Sequence, residues 1–258
     1  MAKSISDIKK ELQQLPFEQL KAFIDEYLVD ERSGVKSLVK KAEKQIEERE
    51  HELLRLEQMK VYERRHGEKY LHICGVDEAG RGPFAGPVVA GAAILSLDTD
   101  ILYLNDSKKL SPAKRDMLFD EIKEKAVAWG VGIVSAKRID EIGVGKADFE
   151  AMRLAISNLQ TKADFALTDA FEIPELSIPQ EPIIKGDAKS VSIAAASILA
   201  KVTRDRIMDE LDEKYPMYGF KDHKGYGTEF HRNMITKYGP CEEHRMSFLK
   251  NMNESWKH

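Results

Sequence analysis

Cysteine is nearly absent. Cys74 and Cys241 are the only two in 258 residues, far apart and in no metal-binding spacing, which excludes a disulfide framework and a thiolate metal site. Reduced thiols suit the cytosol. The opening residues, Met-Ala-Lys-Ser-Ile-Ser-Asp, hold no apolar signal core. No stretch approaches the roughly 20 apolar residues that span a bilayer. A cytoplasmic protein without a membrane partner is expected. A global excess of positive charge is missing too: the formal net charge is −4, so any nucleic-acid contact has to come from a local patch. Internal repeats and low-complexity tracts are absent. Glycine and proline are scarce at one end only. Residues 1–69 contain Gly34, Gly67 and Pro16, with 15 basic and 15 acidic side chains.

That first stretch reads as helices. Ile5, Ile8, Leu12 and Leu15 recur at helical spacing, as do Leu20, Phe23, Ile24 and Leu28 after Pro16, which suits a first helical turn. From Val35 to Tyr62 a narrow apolar stripe (Val35, Val39, Ala42, Ile46, Leu53, Leu56, Met59) predicts one long helix. Residues 1–69 are thus an all-helical N-terminal extension, either a hairpin packed on the domain C-terminal to it or an arm for a partner or a duplex.

From Tyr70 the texture changes to strands and glycines. Strands are expected at Tyr70–Val76, Val88–Leu95, Trp129–Ser135, Ala163–Thr168 and Pro182–Asp187, the first two paired as a hairpin. Helices are expected from Ser111-Pro112 to Ala128, around Phe149–Leu159, from Ser190 to Tyr215, and at Glu229–Tyr238 and Glu243–Met252, with a glycine-containing connection at Asp140–Lys146. Strands alternating with helices give an α/β class: a mixed sheet flanked by helices over residues 70–258, the part from about 215 onward helical.

The chemistry lies at strand ends. Asp77 and Glu78 end the first strand, Asp169 the fourth and Asp187 the fifth. Neighbours on a strand point to opposite faces, so Asp77 and Glu78 share a face only if the strand stops there, as the glycines after it suggest. Taken singly, Asp187 is an N-cap and Asp169 a strand end. Taken together, acids gathered at one sheet edge repel one another, and a divalent cation relieves that. Hard oxygen donors point to Mg²⁺ or Mn²⁺. Two such ions about 3.5–4 Å apart activate a water and stabilise the leaving oxygen in phosphodiester hydrolysis.

Gly80-Arg81-Gly82 comes next. Its bare backbone amides can approach a ligand closely, and it lacks the closing Gly-Lys-Ser/Thr of a Walker A loop. Backbone groups so placed can bond a 2′-hydroxyl, the sugar group that separates RNA from DNA. Ser107 and Lys108, with Lys109, Lys185, Lys189 and Lys201, suit phosphate positioning or are plain solvated charge. Tyr226, between two glycines near His223 and His231, is either an exposed ring that stacks on a base or sugar or a turn residue folded on the core.

These blocks resemble bacterial ribonuclease HII. Gly75-Val-Asp-Glu-Ala-Gly-Arg-Gly-Pro83, Asn105-Asp-Ser-Lys-Lys-Leu110, Lys185-Gly-Asp187, Ser192-Ile-Ala-Ala-Ala-Ser-Ile-Leu-Ala-Lys201, His223-Lys-Gly-Tyr-Gly-Thr228 and His244-Arg-Met-Ser-Phe248 occur in that family's order over about 70–258. The resemblance implies an RNase H-like fold. It also implies Mg²⁺- or Mn²⁺-dependent cleavage of RNA in RNA–DNA hybrids and on the 5′ side of single ribonucleotides in duplex DNA, leaving a 3′-hydroxyl and a 5′-phosphate. It assigns catalysis and metal to Asp77, Glu78, Asp169 and Asp187, and substrate contact to Gly80, Arg81, Gly82 and Tyr226. The extension falls outside the family core, and a monomer is expected. Ribonuclease HIII, which is expected to carry serine where Arg81 stands and a sheet-rich N-terminus, is the sister alternative. A DNA-only structure-specific nuclease and a hybrid-binding module with structural acids remain open.

Overall fold

The computed structural model describes residues 3–250. It divides into two compact units between Glu57 and Gln58. In the first, α1 (Ile5–Gln14) is capped by Ser4, whose Oγ accepts the Asp7 N–H at 3.2 Å. Pro16 precedes a 3-10 turn that feeds α2 (Leu20–Tyr27), and α3 (Ser33–Met59) comes after it. Ile8, Leu12, Leu20, Phe23, Tyr27, Val35, Val39 and Ala42 bury one another; all but Tyr27 belong to the apolar stripes, whose Ile5 and Leu28 stay exposed. The long helix stops at Met59, and Lys60 caps a separate α4 (Val61–Gly67). No proline or glycine marks that break.

The second unit contains β1 (Ile73–Ala79), β2 (Val88–Ile94), α5 (Pro112–Lys125), β3 (Ala128–Val134), α6 (Ala136–Ile142), α7 (Val144–Ser157), β4 (Phe165–Asp169), β5 (Gln180–Ile183), α8 (Val191–Lys214), α9 (Phe220–His223) and α10 (Glu229–Tyr238). The sheet order is β3-β2-β1-β4-β5. β1, β2 and β3 form an antiparallel meander, and β4 and β5 add in parallel on the other side of β1. Helix α7 packs on one face, against Val76, Ala90, Ala92 and Ala128 among others. Helix α8 covers the other face through the small residues Ala194, Ala195, Ala196 and Ala200. It comes so close that a Cβ on Gly75 would lie 2.1 Å from the Ser192 carbonyl carbon, and one on Gly91 would lie 2.2 Å from Ala196 O.

Several expected elements shift. β1 runs on to Ala79 because β2 pairs with it throughout, Asp77 opposite Gly91 and Glu78 opposite Ala90. Asp77 and Glu78 therefore sit on opposite faces. β5 ends at Ile183, since Lys185 turns left-handed at φ 58° and a 3-10 turn, Gly186–Ala188, carries Asp187. The connection at Asp140–Lys146 is the junction of α6 and α7, bent at Gly143 with φ 83°. The expected Glu243–Met252 helix is a single 3-10 turn, Met246–Phe248, and its last two residues lie outside the described chain.

Glu63 of α4 fixes the start of α8. Its Oε1 accepts the Ser190 hydroxyl at 2.6 Å and the Ser192 N–H at 3.1 Å. No helix among the described residues is long and apolar enough to cross a membrane.

Because α8 touches the sheet backbone at Gly91, Gly91→Ala forces the helix outward. Urea denaturation of this variant is expected to show a loss of about 1–3 kcal/mol. Unchanged stability would mean that the packing is looser than described.

Candidate active site

β1 and β4 run in parallel with Val76 beside Thr168. One step further along the same register puts Asp169 beside Asp77, on the face that α8 covers, with strands about 4.8 Å apart. Asp77 is buried. Its Oδ1 accepts the Glu78 N–H at 2.8 Å. Burial, then the Glu78 charge and that of Asp169, hold its carboxyl well above the usual range, while the Ser197 hydroxyl pulls it down. Ser197 Oγ and Ser107 Oγ lie 3.0 Å apart, so buried Ser107 reaches the site through a hydroxyl pair.

Glu78 leaves the other face. Burial raises it, and Asp169 adds to that against the pull of Arg81, whose Nη1 is 3.5 Å from Glu78 Oε1. Asp169 Oδ1 accepts the Gly186 N–H at 2.7 Å, which ties the end of β4 to the turn that carries Asp187. Asp187 is raised by burial, then by Asp106 and Asp169, with Lys108 opposing. Asp77, Glu78, Asp169 and Asp187 thus act on one another electrostatically, and Lys108 faces Asp187. Lys185 is exposed and makes no ion pair among the described residues. Lys201 is taken up by Asp205 at 2.7 Å.

The donor set is all carboxylate, with protonation of Asp77, Glu78 and Asp187 favoured by burial and neighbouring acids, and that suits a hard divalent cation. It is not a preassembled cage. Among the described residues no three His, Cys, Asp or Glu side chains are arranged to hold an ion. Two of the four acids instead give an oxygen to a backbone N–H.

The glycine loop is built from below. Gly80 takes φ 97°, and a Cβ there would lie 2.1 Å from Arg204 Nε. Arg204 donates to the carbonyls of Pro87, Lys224 and Ala85 at 3.0–3.1 Å. Arg245 donates to those of Gly86, Arg81 and Gly80 at 2.6–3.0 Å. Both guanidiniums are buried. Burial and the charge of Arg204 lower Arg245 to about 9. A methyl on Gly82 would lie 3.6 Å from Tyr226 Cε1, so the glycine loop and the tyrosine are neighbours, and Tyr226 is 49% exposed.

Asp148 escapes the sequence reading. It is 2% exposed, and its Oδ2 lies 3.2 Å from Arg81 Nε. Its Oδ1 has no hydrogen-bond partner among the described protein groups. Burial and the Glu78 charge push its carboxyl up to about 7 against the pull of Arg81. The available signal was its place on the apolar face of α7, between Val144, Ala147, Ala151 and Met152. Arg204 and Arg245 were hidden in helical and loop context. Their chemistry is visible only once the carbonyls they hold are in place.

A family model described as Ribonuclease HII matches residues 74–251, and one described as Ribonuclease HII N-terminal domain matches residues 4–66. The helical extension thus has a family model of its own. A ribonuclease HII of Clostridioides difficile (strain 630) is 51% identical over 251 residues, covering 97% of this chain and 98% of that protein. The crystal structure of ribonuclease H2 from Pyrococcus horikoshii OT3 overlays with a TM-score of 0.62 at 28% identity, covering 73% of this chain and 100% of that one. Bst-RNase HIII in complex with Mn²⁺ shares the fold, with a TM-score of 0.55 at 19% identity over 72% of this chain and 69% of that one.

The Asp148 environment sets a pH dependence. A carboxyl raised in the folded state stabilises the fold below its unfolded pKa, and that contribution is lost as pH rises through the folded value. Between about pH 4 and 7, wild type should therefore lose stability relative to Asp148→Asn, by about 1 kcal/mol or more. Urea denaturation of both proteins in EDTA at pH 5 and pH 8 measures the difference. A pH-independent difference would contradict the buried-acid assignment.

Proposed function

The chain belongs to the ribonuclease HII family, and we propose that it hydrolyses the RNA strand of RNA–DNA hybrids and cuts on the 5′ side of single ribonucleotides embedded in duplex DNA. One observation supports this reading: Asp77, Glu78 and Asp169 repel one another at the ends of β1 and β4, Asp187 joins them through Asp169, and the glycine loop that comes next abuts an exposed tyrosine.

Asp77, Glu78, Asp169 and Asp187 would hold two divalent ions, Mn²⁺ or Mg²⁺. Such ions supply an activated water and stabilise the leaving 3′-oxygen. The rest falls to the chain. Asp77 and Asp169 lie side by side on a rigid sheet, which suits a reaction that depends on position. The backbone of Gly80-Arg81-Gly82 offers donors and acceptors to the 2′-hydroxyl of the ribonucleotide. Tyr226 stacks on the deoxyribose that comes after it. Requiring both contacts selects an RNA-to-DNA step. Ser107 and Lys108, beside Ser197 and Asp187, orient the phosphate, and exposed Lys185 adds charge nearby. The products carry a 3′-hydroxyl and a 5′-phosphate.

Asp77→Asn removes a buried charge from a repelling cluster. This variant should lose turnover in both Mn²⁺ and Mg²⁺ while gaining about 1 kcal/mol of stability in EDTA. Cleavage of two duplexes that differ by one ribose, with and without metal, reads the activity, and thermal melting reads the stability. Full activity of Asp77→Asn in Mn²⁺ sinks the metal assignment, and equal cleavage of the all-DNA duplex by wild type replaces the reading with a DNA nuclease. Tyr226→Ala should cost about 1–3 kcal/mol in discrimination between the two duplexes.

A further inference from the structure

Three histidines lie beneath the loop that presents Tyr226. His231 and His244 are buried. His231 Nδ1 is 2.9 Å from Tyr226 O, and a carbonyl only accepts, so Nδ1 carries the hydrogen. At the other end the Cys241 N–H donates to His244 Nδ1 at 2.9 Å, which leaves the hydrogen of His244 on Nε2. The two Nε2 atoms are 3.0 Å apart, so His244 donates to His231. Each ring nitrogen has one role. The chain from the Cys241 N–H through His244 and His231 to the Tyr226 carbonyl runs in one direction and carries no charge. Burial lowers both imidazoles to about 4, so the neutral form is the one present at pH 7. His223 stacks on His231 with ring centroids 4.4 Å apart. It accepts the Gly225 N–H at 3.2 Å on Nδ1, and its Nε2 donates to Tyr218 O at 2.8 Å.

We propose that His231 and His244 are positioning residues for ribose recognition, an uncharged relay that fixes the Tyr226 carbonyl and with it the ring beside Gly82. This rests on the reading of Tyr226 as the sugar-stacking side chain. The residues before Tyr226 have long-range ties of their own, Lys224 O to Arg204 and Gly225 O to the Phe84 N–H at 2.8 Å, and the relay extends that anchoring to Tyr226 itself. Lys224 and Gly225 both take positive φ, 50° and 82°, and the other ties at Tyr226 are short-range: Tyr226 N–H to His223 O, and Thr228 N–H to Tyr226 O. The relay reaches instead to the segment around Arg245, which holds the Gly80 and Arg81 carbonyls. It couples the two halves of the ribose-reading surface.

The test measures kcat/KM on a duplex with one embedded ribonucleotide, with folding checked by thermal melting. His231→Leu removes the relay and should lose about 10-fold or more, since small displacements of positioning groups cost rate steeply. His231→Asn keeps an N–H near the Nδ1 position but loses the bond to His244, and should fall between His231→Leu and wild type. In a Tyr226→Ala background His231→Leu should add almost nothing, because the relay then has no ring to place. If Tyr226→Ala is impaired and the two penalties multiply, the relay does not act through Tyr226 and the proposal falls while the tyrosine reading stands. If Tyr226→Ala cleaves as wild type does, the tyrosine reading falls and takes the relay with it. Should His231→Leu not fold, His231→Gln, which moves the amide to the Nε2 position, replaces it. Equal activity of the Gln and Asn variants then overturns the proposal.

Discussion

Repulsion between carboxylates at the end of a rigid sheet is the constraint that the second unit is built to withstand. Asp77 and Asp169 come from neighbouring parallel strands in one register, so backbone pairing alone sets their separation. Nothing short of unzipping β1 from β4 moves them apart. Each strand is buried between partners, and α8 lies so close that Gly75 and Gly91 have no room for a Cβ. The fold resists the repulsion with main-chain geometry and tight packing, and it moderates it with polar hydrogens: the Glu78 and Gly186 amides and the Ser197 hydroxyl. What remains shows as raised carboxyl pKa values, a site energetically primed for positive charge.

The Gly80–Pro87 and Lys224–Tyr226 loops meet the opposite problem with a different solution. Their backbone carbonyls point inward and need donors. Arg204 and Arg245 together satisfy six such carbonyls, on both sides of the Gly80–Pro87 loop and at Lys224. Two buried guanidiniums that bond mainly to carbonyls leave positive potential beneath a surface read as facing phosphates, while the adjoining His231 and His244 stay uncharged.

Much of this was legible in the sequence, and the failures share a cause. The strands, the helical extension and Asp169 at the end of β4 come from periodicity and from residues such as Ser111 and Ser190, which cap the helices they precede, whereas Asp187 sits on a turn past β5. The end of β1 was misread because Gly80 looks like a terminator, whereas the length of a strand is decided by its partner, and β2 pairs as far as Ala79. Asp148 was missed for a related reason. One acid on an apolar helical face reads as noise until α7 is laid against the sheet and Glu78 and Arg81 appear opposite it. Local sequence carries local structure. Pairing and convergence are properties of the whole chain.

Arg81 shows how the two halves of the site divide their work. Its guanidinium lies between Glu78 and Asp148 and 5.9 Å from the ring centre of Phe171. A side chain so engaged by the protein is poorly placed to read a ligand as well. Under the proposed function the reading passes to the main chain of residues 80–82, and here the glycines on either side matter. Gly80 reaches φ 97° over Arg204, and Gly82 leaves the space beside Tyr226 open. Main chain cannot swing away as a side chain does, so the course of residues 80–82 is set by the carbonyls that Arg245 holds. Because Arg81 also faces Glu78, any shift of that loop is felt at the acid cluster. Glu78 and Asp148 thus share one guanidinium, which ties the loop to the acids.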